Sequence, residues 1–88
     1  MARKGIRAAA VDKYGALSDA TPMADVMAMI AKEQAKDMHW IQRNVDALHN
    51  LDLDTVGNLR VLSRVRVENL TLSPFIIAYL LRVNAKNA

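Results

Sequence analysis

Residues 70–88 read LTLSPFIIAYLLRVNAKNA, and the apolar run inside them, Pro74 to Leu81, sets the problem that the fold has to solve. Ser73 followed by Pro74 is a helix start. The serine hydroxyl can accept a hydrogen bond from a free first-turn amide, and proline suits the first helical position because its missing N–H would be unpaired there anyway. A helix is expected over about 74–86, with Arg82 and Lys86 near its carbonyl end, where positive charge is favoured. The run is far shorter than the roughly 20 residues a membrane span requires. It must therefore be buried in protein, and a helix apolar on nearly all sides needs cover on nearly all sides.

Upstream, Asp54 can cap a second helix over about 55–65, with Val56, Leu59, Leu62 and Val65 at steps of three. The following VRVENLTL alternates apolar and polar residues and reads as the frayed end of that helix. Thr21 and Pro22 repeat the cap-then-proline signal, and from there Met23, Val26, Met27, Ile30, Met38, Ile41, Val45 and Leu48 form a stripe with one gap of eight. One amphipathic helix is expected over about 22–49, at 1.5 Å per residue roughly 40 Å long. That outreaches a compact domain of this size, so part of its stripe calls for cover from a second copy. Residues 1–17 read as a basic N-terminal arm or short helix, and 18–88 as a single helical domain. The fold class is all-α, a compact bundle of three to four helices.

Hydrophobic residues make up 52% of the 88, of which 14 are alanines, so about one residue in three is a larger core former. One modest core follows, without room for a substrate cleft between lobes. The absence of cysteine excludes disulfides and thiol catalysis and agrees with an intracellular, first of all cytoplasmic, location. Arg7 interrupts the apolar run after the charged start, so a secretory signal is not expected. No enzyme is expected. His39 and His49 stand ten residues apart and would face different ways on one helix; Asp52 and Asp54 fall where turn caps belong; Gly5, Gly15 and Gly57 form no phosphate loop. No metal site, cofactor or small-molecule substrate is indicated.

Charge is segregated: +2 over residues 1–20, −3 over 21–54 and +4 over 55–88. Arg60 and Arg64 lie one turn apart if a single helix carries both, and Arg66 follows. With Arg3, Lys4 and Arg7 of the arm they are the candidate phosphate contacts of a nucleic-acid interface. The stretch from Asp54 to Arg82 loosely resembles a helix-turn-helix, which would imply a small dimeric DNA- or RNA-binding regulator. It departs from that pattern where base contacts are made, opening its last helix with Pro74, Phe75, Ile76 and Ile77 in place of polar residues.

The leading expectation is a non-catalytic binding module. A chain with two other good helices covers about two faces of the last one, and the remaining face calls for another molecule. The simplest is a second copy in a homodimer, and a protein partner is the next. Met23, Met27, Met38, Trp40, Phe75 and Tyr79 are the candidate interface residues, methionine and aromatics being enriched at such surfaces.

Overall fold

The structure is a computed structural model and describes residues 12–86. Its regular elements are α1 (Met23–Gln34), α2 (Met38–Asn50), α3 (Val56–Arg60), α4 (Arg64–Glu68) and α5 (Pro74–Asn84). The all-α bundle expected from the sequence is what is observed, with one isolated bridge, Pro22 to Thr55, as the extended pairing among the described residues.

The expected helix over 22–49 is two helices. Ala35 adopts the left-handed conformation (φ 55°, ψ 44°) and the Lys36 amide turns back to the Ala31 carbonyl at 2.9 Å, closing α1. Asp37 then caps α2 by accepting from the Trp40 amide at 2.9 Å. The eight-residue gap in the apolar stripe is the cause: between Ile30 and Met38 only Ala31 is buried, so no packing holds the segment straight, and Asp37 offers a new start. The break lets α2 fold back on α1. Leu48 is fully buried and Trp40, Ile41 and Val45 pack partly against the core, so the chain itself covers this stripe except at Met38, which is 75% exposed.

The helix expected over 55–65 is also divided. Thr55, not Asp54, caps α3: its hydroxyl accepts from the Asn58 amide while the Asn58 side chain accepts from the Thr55 amide, a reciprocal capping box. Ser63 accepts from the Arg66 amide and starts α4. At the head of α1 the N-cap position is Pro22, and Thr21 serves differently from expectation. Its carbonyl receives the Val56 amide at 2.9 Å, while the Met23 amide donates to Asp54 O at 2.8 Å and the Gly57 amide to Asp19 O at 2.8 Å. These bonds join the starts of α1 and α3. A Cβ on residue 57 would lie 3.1 Å from the Asp19 carbonyl oxygen, a tight approach that glycine avoids.

The last helix begins as expected, with Ser73 accepting from the Ile76 amide and Pro74 in the first turn, and ends two residues early at Asn84. It packs on α3 and α4 and buries Ile76, Tyr79, Leu80 and Val83. Asn84 Nδ2 donates to Leu59 O and Leu62 O, tying the end of α5 to the end of α3. The opposite face is open: Ala78 is exposed, Phe75 is 40% exposed, and Ile77 and Leu81 are half-buried. Before α1, residues 12–17 form a turn without a helix, and Tyr14 within it is fully buried, its ring edge-on to Tyr79 at 5.3 Å.

Candidate interaction surface

Of the six basic candidates, Arg3, Lys4 and Arg7 lie outside the described residues. Arg60 does not belong among phosphate contacts. Its side chain is 7% exposed, and its guanidinium donates to the carbonyls of Tyr14, Gly15, Leu17 and Val83 and to the Asp19 carboxylate. A fully engaged, buried guanidinium has no donor left for a phosphate. Arg64 is exposed and pairs with Glu68 one turn on, and Arg66 is exposed. The break between α3 and α4 is what separates Arg60 from the other two. The segment 54–82 folds as three helices, with α5 against the core.

The apolar candidates divide as well. Met23 and Met27 are 1% and 0% exposed and Tyr79 is 8% exposed, so these three belong to the core of the single chain. The α1 stripe turns inward because α2 and the turn 12–17 close over it. Met38 and Phe75 stay exposed, and Trp40 is half-buried beside Phe75. Met38 is 75% exposed at the start of α2; two residues later Trp40 sets its ring edge-on to Phe75 at 6.4 Å; and Lys36 lies over the Phe75 ring at 5.7 Å. The geometry follows from the helix break, which brings the start of α2 beside the start of α5.

From Phe75 the ring contacts continue inward, to Tyr79 at 5.5 Å and on to Tyr14. Arg82 stacks over both tyrosines, 4.7 Å from Tyr14 and 5.3 Å from Tyr79, and its guanidinium binds Asp12 with two hydrogen bonds. The Tyr14 hydroxyl donates to Glu33, which also pairs with Lys13, and Gln34 donates to the Tyr79 hydroxyl at 2.7 Å. Burial, then the bond to Glu33, pushes the Tyr14 phenol well above its usual range; the Arg82 hydrogen bond lowers Asp12, and the Lys13 and Tyr14 bonds lower Glu33. Tyr14 and Glu33 are not among the candidates read from the sequence, and Arg82 is read there only as a favourable charge near the carbonyl end of the last helix. The one available signal was a lone aromatic residue in a stretch otherwise rich in alanine and charge.

His49 Nδ1 lies 2.6 Å from Asp54, whose carboxylate, by its hydrogen bond first and its charge second, raises the imidazole above its ordinary value. The pair is exposed at the end of α2 and acts as a link between α2 and the turn before α3. Among the described residues no group of three or more histidine, cysteine or acidic side chains could hold a metal ion. Among them, too, no helix is long and apolar enough to cross a membrane. An open groove of about 470 Å³ between α4 and α5 is lined by Asp12, Arg64, Ala78, Leu81, Arg82 and Ala85, and brings no nucleophile beside an acid or base. Comparison of the chain with protein-family models, curated proteins and solved structures returns no match.

Proposed function

We propose that this chain is a non-catalytic helical binding module that associates with a second copy of itself through the face formed by Met38, Trp40 and Phe75. The observation that carries the reading is that Met38 and Phe75 stay 75% and 40% exposed, with the half-buried Trp40 ring against Phe75, after the chain has closed a core of its own. An exposed cluster of aromatic and methionine side chains with charges at its rim has the make-up of an interface core. Lys36 and Asp37 adjoin it in the chain, so the rim carries both signs of charge. A different protein partner would use the same apolar face.

Sedimentation velocity from about 1 to 500 μM tests this. Wild type should shift from monomer to dimer within that range, and Met38→Glu with Phe75→Ser should remain monomeric with an unchanged helical circular-dichroism spectrum. A wild type that is monomeric throughout overturns the reading.

A second reading, binding of DNA or RNA, is favoured by one observation. Residues 12–86 carry nine acidic and nine basic side chains, so the whole net charge of +3 belongs to Arg3, Lys4 and Arg7.

A further inference from the structure

We propose that His49 and Asp54 form a pH-sensitive clasp on the joint where α1, α2 and α3 meet, closed in mildly acidic solution and weakened in mildly alkaline solution. The clasp acts within the single chain and does not depend on the association proposed above.

At the joint, the Asp54 carbonyl accepts the Met23 amide from the head of α1, and the Asp54 amide donates to the Asn58 side chain of α3. The next residue, Thr55, caps α3 and bridges to Pro22. The turn that leads there from α2 passes through Asp52 at φ 62°, a conformation that a residue other than glycine adopts at a cost. His49, in the last turn of α2, spans this turn: its Nδ1 lies 2.6 Å from the Asp54 carboxylate. Facing an acceptor, Nδ1 keeps its proton and donates. A second proton, taken up at Nε2, converts that ordinary hydrogen bond into a charge-assisted one about twice as strong. The positive charge also stands where the carbonyl end of α2 favours it.

The charges around the ring act in one sense. Asp54 and Asp52 belong to the turn and Asp46 lies three residues back on α2; all three hold the imidazole above its ordinary value, the Asp54 hydrogen bond most of all. The charged residue in the first turn of α1 is another acid, Asp25, and the charged residue of α3, Arg60, is engaged by Asp19 and by backbone carbonyls. A group raised in the folded chain contributes stability that is complete below its unfolded value and is lost as pH rises through its folded value. The carboxyls held low, Asp12 by Arg82, Asp19 by Arg60 and Glu33 by Lys13, lose their contribution only as pH falls through the carboxylate range. Both members of the clasp are exposed, 72% and 56%, so solvent protons reach the ring directly and water screens the pair.

The test reads the ring and the fold separately. Proton NMR of the whole chain, with His39→Gln to leave one of the two imidazoles, follows the titration of His49. Thermal unfolding at about pH 5.5 and about pH 8.5, which bracket the imidazole range, follows stability. The expected results are a titration above the ordinary imidazole value that moves down in Asp54→Asn, and an unfolding temperature about 2–4 °C lower at the higher pH, a difference that His49→Gln removes. Titration at or below the ordinary imidazole value, read on a chain whose joint is intact, overturns the pair, as does a titration that Asp54→Asn leaves in place. A wild type equally stable at both pH values, or a His49→Gln chain that keeps the wild-type difference, overturns the clasp.

Discussion

At the scale of single residues, Arg60 is the side chain whose meaning changes most between sequence and structure. Its spacing from Arg64 matches one face of a continuous helix and reads as a pair of phosphate contacts. In the folded chain it gathers the carbonyls of Tyr14, Gly15, Leu17 and, near the end of α5, Val83 around one buried guanidinium, and its hydrogen bond holds the Asp19 carboxyl below the usual range. A planar fork can serve several acceptors at once, and a lysine ammonium cannot. Arg60→Lys should therefore cost about 3 kcal/mol, the scale for breaking a buried charged network, measured as a loss in urea unfolding free energy. A cost below about 1 kcal/mol would show that the carbonyls are satisfied without it. Nothing local distinguishes Arg60 from Arg64 or Arg66; the difference is made by acceptors 23 to 46 residues distant in the chain.

At the scale of elements, the signals read correctly were those carried by a few adjacent residues. Ser73 and Pro74 start α5 where expected, because capping acts within one turn, whereas α1 begins one residue later than its signal, with Pro22 and not Thr21 at the N-cap. The single helix over 22–49 failed at its gap: the apolar period continues in phase on either side, and periodicity alone does not report a left-handed residue between. Ala35 occupies that conformation without the freedom glycine has there. Ala35→Gly should stabilise the chain by roughly 0.5–1 kcal/mol, the usual gain from relieving a left-handed non-glycine residue less the added freedom of the unfolded chain. A raised thermal midpoint is the expected result. A lowered one would mean that residues 31–37 gain more from helical order than they lose to strain at the turn.

Across the whole molecule, charge is arranged in blocks that cancel. Residues 12–20 sum to −1, 21–54 to −3 and 55–86 to +4, leaving a neutral body and +3 on residues 1–11. If the chain binds DNA or RNA, the attraction should come from that segment. Fluorescence anisotropy with a labelled duplex of random sequence at about 50 and 200 mM salt should then show binding that weakens steeply with salt, and Arg3, Lys4 and Arg7 all changed to Gln should abolish it. Binding lost instead through Arg64→Ser with Arg66→Ser would place the contact on α4.

The sequence by itself determined the class of fold, the start of α5 and the need to bury most of it, because helix caps and apolar period are local properties of the chain. It also marked Met38, Trp40 and Phe75, but could not separate them from Met23, Met27 and Tyr79, since the same residue types serve cores and interfaces. Only the tertiary structure decided that division. The turn at Ala35 folds α2 back on α1 and brings Trp40 to Phe75, while Tyr14 arrives from outside the helices to cover Tyr79. Burial is settled by what packs on a residue from far along the chain, and that information belongs to no single stretch of it.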